Sequence, residues 1–316
     1  MSSQEMRNEG VPFSLQYFDN ININLSAIER RAASLPGRRT VKKEFQAAWL
    51  LRAISCIDLT TLAGDDTAGN VTRLCAKALN PVRKDMLQAL EFPEITVGAV
   101  CVYHNMIPDA VRALDGRLPI AAVSTGFPAG KISLEQKIEE IKKSVQAGAT
   151  EIDIVISREL VINNKWEELY REVKLCREAC GDAHMKTILA TGEIPTLTKV
   201  AKASWISMMA GSDFIKTSTG KESVNATLPV SLVMIRAIRD YYELTGTKIG
   251  YKPAGGIQKA KQAVDFLIMI KEELGNEWLN NSLFRFGASS LLGDIERQLE
   301  HYVTGRYSAS YRHAMA

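Results

Sequence analysis

At 316 residues and 46% hydrophobic, the chain is long enough to bury one large α/β core or two smaller ones. A formal net charge of only +3 excludes the lopsided balance expected of a chain built around a polyanion, and no apolar run reaches the ~18 residues that span a bilayer. Cys56, Cys75, Cys101, Cys176 and Cys180 lack the spacing of a secreted disulfide framework and read as small core residues of a reducing, cytoplasmic compartment.

Residues 1–44 are polar and turn basic over residues 30–43, with Arg30-Arg31, Arg38-Arg39 and Lys42-Lys43. A nucleic-acid-binding arm is one reading of this stretch. The neighbouring Glu29 and Glu44, and the lack of interleaved aromatics, favour a helical or irregular extension packed on the main domain. Glu5, Glu9 and Asp19 speak against a mitochondrial presequence.

Residues 45–300 alternate apolar strand-like runs with amphipathic helices, and residues 301–316 form a C-terminal tail. Strands are expected over residues 53–59, 97–103, 119–124, 151–157, 185–191, 214–219, 248–254 and 284–290. Several are apolar on both faces, as parallel strands covered by helices are. Between them, Ser133 and Gln136 form a capping box, and helices end near Gly148, Gly181, Gly211, Gly246 and Gly275. Eight such units predict an α/β fold, a (β/α)₈ TIM barrel. An open doubly wound sheet competes less well, because no glycine-rich dinucleotide fingerprint follows the first strand.

Several of these strands carry a charge in mid-run. Asp153, Lys186 and Lys216 each lie five residues after a helix-ending glycine, and Lys252 lies six after Gly246. Equal spacing predicts a shared depth on strands 4 to 7, and alternation turns the side chains inward while Ile152, Ile154, Ile215 and Thr217 face the helices. Asp58 adds a carboxylate from strand 1. Three ammoniums against two carboxylates leave a buried charge unpaired, which is costly. Either the barrel holds an internal salt-bridge layer, or one lysine sheds its proton and becomes a nucleophile suited to Schiff-base formation. Position alone does not rank Lys216 above Lys252.

Past the strand ends lie Gly220-Lys221, Gly255-Gly256 after Ala254, and Gly287 with Ser289-Ser290. Backbone N–H groups, small hydroxyls and a cation at adjacent strand ends suit a phosphate dianion. The four histidines, His104, His184, His301 and His313, are too scattered to converge on a metal, and no metal site is expected.

With these residues assembled, the chain resembles the deoxyribose-phosphate aldolase family of class I aldolases over roughly residues 50–300. The motifs that carry the resemblance are Ile57-Asp-Leu-Thr-Thr-Leu62, Ala99-Val-Cys-Val-Tyr103, Glu151-Ile-Asp-Ile-Val155, Phe214-Ile-Lys-Thr-Ser-Thr-Gly-Lys221, Val224-Asn-Ala-Thr227, Lys252-Pro-Ala-Gly-Gly256 and Phe286-Gly-Ala-Ser-Ser290. The resemblance implies reversible cleavage of 2-deoxy-D-ribose 5-phosphate to D-glyceraldehyde 3-phosphate and acetaldehyde, without a metal or organic cofactor. It matches Lys216 to the Schiff-base lysine, Lys252 to the partner that depresses that lysine's pKa, and Asp153 to the acid/base carboxylate. Asp58 and Lys186 match supporting residues, and Gly220, Lys221, Gly255, Gly256, Gly287, Ser289 and Ser290 match the phosphate site. Partners would be small sugar phosphates and aldehydes, with neither membrane nor nucleic acid; a homo-oligomer is compatible with a barrel, but no seam is legible. Departures are Gln258 where many members carry arginine, His104 in place of a proline, and Tyr307 and Tyr311 short of the end, where a terminal tyrosine reaches the site in bacterial members. A transaldolase-like carbon transfer and a silent sugar-phosphate or RNA-binding protein are the alternative functions.

Overall fold

The computed structural model describes residues 7–314, so the first part of the N-terminal extension, Glu5 included, and the last two tail residues lie outside the described residues. Two helices, α1 (Leu25–Ser34) and α2 (Lys43–Ser55), precede the first strand. Then β1 (Ile57–Thr60) leads into α3 (Ala68–Leu79) and α4 (Lys84–Ala89), and β2 (Ala99–Tyr103) into α5 (Ile107–Leu114). Next come β3 (Ile120–Val123) with α6 (Leu134–Gln146), β4 (Glu151–Val155) with α7 (Arg158–Ile162) and α8 (Trp166–Cys180), and β5 (His184–Ile188) with α9 (Leu197–Met209). The round closes with β6 (Phe214–Lys216) and α10 (Leu228–Thr245), β7 (Gly250–Lys252) and α11 (Ala260–Glu273), and β8 (Phe286–Ala288) and α12 (Leu291–Thr304).

The strands run parallel in the order β7-β6-β5-β4-β3-β2-β1-β8. The remaining seam, β7 against β8, is stitched by Tyr251 N–H to Leu283 O, Arg285 N–H to Tyr251 O and Gly287 N–H to Pro253 O, at 2.9, 3.1 and 2.9 Å. The sheet is therefore a closed barrel ringed by helices, as the alternation predicts.

Helix signals in the sequence act where they stand. Ser133 Oγ accepts from Gln136 N–H, and the Gln136 side chain accepts from Ser133 N–H, so α6 starts with two of its orphan donors satisfied. Strand edges differ from expectation. Residues 53–55 are the last turn of α2 rather than the start of a strand; an apolar run this short fits either period, and Leu50, Leu51, Ala53 and Ile54 are all buried on the helix. Residues 217–219, 253–254 and 289–290 likewise fall outside the strands proper, with Ala254 keeping a single bridge to Gly287, and their backbone shapes the barrel mouth.

Isoleucines 152, 154 and 215 join the large apolar shell between sheet and helices, whereas Cys101, Ala121 and Val123 form a separate small cluster within the barrel. The basic extension packs on the ring: Arg31 pairs with Glu273 at 2.8 Å and Arg39 with Glu272 at 2.6 Å, both on α11. Asn8 anchors the chain at the foot of β6, where its N–H meets Asp213 Oδ1 at 2.8 Å. All five cysteines are buried free thiols. Among the described residues no helix is long and apolar enough to cross a membrane.

Candidate active site

Asp153, Lys186, Lys216 and Lys252 are each the third residue of their strand, as the glycine spacing implies. The ladder between β5 and β6 slips by two residues, so Lys186 sits beside Phe214 and Lys216 beside Ile188. Such stagger is what closing a sheet into a barrel requires, and it brings all three ammoniums onto one carboxylate. Lys216 Nζ and Lys252 Nζ each reach Asp153 Oδ2 at 2.8 Å, and Lys186 Nζ reaches Oδ1 at 3.2 Å.

Two further charges, not singled out from the sequence, complete the layer. Arg285 donates to Asp58 Oδ1 at 2.6 Å and to Glu151 Oε1 at 3.0 Å, and Glu151 Oε2 accepts from Lys186 Nζ. Lys252 Nζ closes the circuit on Asp58 Oδ2 at 2.5 Å. Strand alternation was the signal that could have found them. Glu151 precedes Asp153 by two residues and Arg285 precedes Gly287 by two, so each shares the inward face.

Asp58, Lys252, Asp153, Lys186, Glu151 and Arg285 thus form a ring of alternating sign, wholly buried, with Lys216 attached to it at Asp153 alone. Burial opposes charge on every member, and the neighbours overcome it. The Asp153 carboxyl, which burial would push up, is held well below the usual carboxylate range by Lys186, Lys216 and Lys252. Against the same desolvation, Lys252, Arg285 and Lys186 lower Asp58, while Arg285 and Lys186 lower Glu151. Burial would lower Lys252, but Asp153 and Asp58 raise it above the ordinary lysine value; Asp153 and Glu151 do the same for Lys186. Every charge in the ring is therefore stabilised by the next.

Above the ring opens a cavity of about 390 Å³. Of the inward charged side chains only Lys216 lines it, at 3% exposure against 0% for Lys252. Gly220, Lys221, Gly255, Gly256, Gly287, Ser289 and Ser290 all line the same cavity, together with Thr60, Thr61 and Gln258. Among the described residues, the N–H groups of Gly255 and Gly256 donate to no protein acceptor, and α12 begins at Leu291 just behind Ser289 and Ser290. Gly255 holds φ +79, and a Cβ there would lie 2.6 Å from the Asn225 side chain, so the turn admits only glycine.

The loop after β6 is arranged differently from a simple phosphate cradle. Glu222 accepts from the N–H groups of Thr219 and Gly220 at 3.1 Å, so the chain's own carboxylate occupies those donors. Lys221 Nζ is tied to Leu62 O at 2.9 Å across the mouth. Neither tail tyrosine enters the cavity: Tyr307 is 83% exposed and stacks on His301, and Tyr311 is 87% exposed. His104 stands outside the cavity lining as well, where its Nδ1 bonds Ser144 Oγ at 3.0 Å.

The chain is similar to known proteins over nearly its whole length. The chain is 58% identical over 307 residues to the curated human deoxyribose-phosphate aldolase, covering 96% of each chain, and 58% identical over 306 residues to the bovine protein of that name, covering 95% of this chain and 96% of the other. Its fold matches the crystal structure of a putative deoxyribose-phosphate aldolase from Toxoplasma gondii with a TM-score of 0.71 at 20% identity, over 83% of this chain and 98% of that one. The family model described as DeoC/LacD family aldolase matches residues 52–294, and the chain belongs to that family.

Proposed function

We infer that the chain is a deoxyribose-phosphate aldolase: it cleaves 2-deoxy-D-ribose 5-phosphate reversibly to D-glyceraldehyde 3-phosphate and acetaldehyde through a Schiff base on Lys216. The observation that carries the role of Lys216 is its access. It is the one amine of the buried cluster that lines the open cavity, and it stands outside a ring whose charges already balance. A further cation beside a balanced buried ring is uncompensated, and Schiff-base formation uses the neutral amine.

The Lys216 nitrogen adds to the C1 aldehyde of the open-chain sugar, and loss of water leaves an iminium. Asp153, with Lys252 and a water, takes the C3 hydroxyl proton. The C3–O bond becomes a carbonyl, the C2–C3 bond breaks, and its electron pair flows into the iminium to give an enamine. Departure of glyceraldehyde 3-phosphate, protonation of the enamine carbon and hydrolysis then return acetaldehyde and the free lysine. Asp58 and Lys186 hold Lys252 and Asp153 in place. The free N–H groups of Gly255 and Gly256, the start of α12 and the Lys221 ammonium supply the donors for the phosphate. Gly220 contributes shape rather than a free donor, since Glu222 holds its N–H.

In the cleavage direction such an enzyme serves deoxyribose phosphate catabolism, the breakdown of deoxynucleosides. Buried free thiols suit a reducing cytoplasmic compartment. Borohydride added with substrate is expected to fix mass irreversibly on the peptide containing Lys216. An adduct at another lysine, or turnover with no adduct, would overturn the assignment.

A further inference from the structure

We propose that Arg285 and Glu151 are positioning residues that set the acidity at which the Lys216 amine reacts, by closing the ring of alternating charge beneath it. The inference rests on the Schiff-base reading of Lys216.

Neither residue lines the substrate cavity, and both are buried at the opposite end of the charged layer. Arg285 bridges Asp58 and Glu151, and Glu151 hands the connection to Lys186. Without these two, the remaining cluster is a chain with loose ends: Asp58 holds one cation firmly, and Lys186 leans on Asp153 alone, with Asp58 at 3.8 Å. With them, each carboxylate of the ring meets at least two ring cations and each cation at least two carboxylates. Four cations (Lys186, Lys216, Lys252, Arg285) then face three carboxylates (Asp58, Glu151, Asp153), and the odd cation is the one that can reach an aldehyde.

The other groups around the cluster, Arg7 and His184 beside Glu151 among them, are common to the wild type and the variants compared below. Cys101 of β2 is a buried thiol whose ionisation burial disfavours, and β3 presents Ala121 and Val123. His184 stands at the foot of β5, next to Arg7, and burial disfavours its charged form. At the mouth, Lys221 is held by Leu62 O and Glu222 by backbone donors.

Changing the balance therefore has a sign. Arg285→Gln removes a cation, so all three lysines can stay protonated against three carboxylates, and the free amine should appear only at higher pH. Glu151→Gln removes an anion and should do the reverse. Lys216 shares Asp153 with the ring, so each change alters the charge of the network it joins, and a limb moved by about one pH unit is resolvable.

The test is reductive ethylation: acetaldehyde and cyanoborohydride convert the Lys216 amine, through its iminium, to N-ethyl-lysine, and peptide mass spectrometry gives the rate against pH. The acid limb of that profile is expected to move up by about one unit in Arg285→Gln and down by about as much in Glu151→Gln. Arg285→Lys, which keeps the charge, and the double variant Glu151→Gln/Arg285→Gln, which removes one of each sign, should restore the wild-type limb. If one single variant does not fold, the other carries the test alone, since each has its own expected direction. Limbs that stay put, or that move together, overturn the ring proposal while leaving the aldolase intact. Absence of any Lys216 adduct in the wild-type protein overturns the aldolase reading and this inference with it.

Discussion

Lys216 and Lys252 bond the same carboxylate oxygen at the same distance, yet their removal should have opposite consequences for the fold. Lys252 is a link of the ring, and Lys252→Met leaves Asp58 and Asp153 short of a buried counter-charge; a broken buried pair typically costs about 3–5 kcal/mol. Lys216 stands outside the balanced ring, so Lys216→Met removes a buried amine that the ring does not need. We expect Lys216→Met to lose all turnover and all borohydride trapping with an unchanged or raised Tm, and Lys252→Met to lose activity together with a clear fall in Tm, both read by thermal unfolding alongside an activity assay. The buried lysines and Asp153 were legible in the sequence because a charge in a strand interior is out of place. Glu151 and Arg285 were not, because each stands at a strand edge, where a charge ordinarily meets solvent. The choice between Lys216 and Lys252 was also beyond the residues alone, since it depends on which amine faces the opening.

Helices were easier to read than strand ends. Capping boxes and terminal glycines are local signals, and the ends of α6, α8, α9 and α10 fall within a residue or two of the glycines that mark them. Ser133→Ala should therefore cost about 1 kcal/mol, seen as a lower midpoint in urea with activity retained. A strand's limit is set by its neighbours in the ladder, which no local motif reports, and so the expected strands ran on into the loops of the mouth. The β7–β8 seam shows how tight that boundary is. A Cβ on Gly287 would stand 2.7 Å from the Ala254 Cβ and 3.3 Å from Lys252 Cε. Gly287→Ala is expected to cost about 1–3 kcal/mol by overpacking and to reduce kcat by displacing the Lys252 stem, with the chemical denaturation midpoint and steady-state kinetics as the measurements.

The barrel as a whole should carry the ring's acid sensitivity. Asp58, Glu151 and Asp153 all have folded pKa values below their unfolded ones, so their contribution to stability is complete above the unfolded carboxylate value of about 4. It is lost as pH falls below that toward the folded values. A series of Tm measurements should show these groups contributing a flat background above about pH 5 and a steep decline below about pH 4. A Tm that stays level from about pH 5 down to about pH 2 would contradict the assignment of full charge to all three. The layout also separates what can be altered from what cannot. In the proposed mechanism the amine's chemistry is set from beneath, by side chains outside the cavity lining, whereas Thr60, Thr61, Gln258 and the serines before α12 line the rim. On that reading, a different aldehyde acceptor is sought by changing Thr60, Thr61 or Gln258, which leaves the charges beneath the amine as they are.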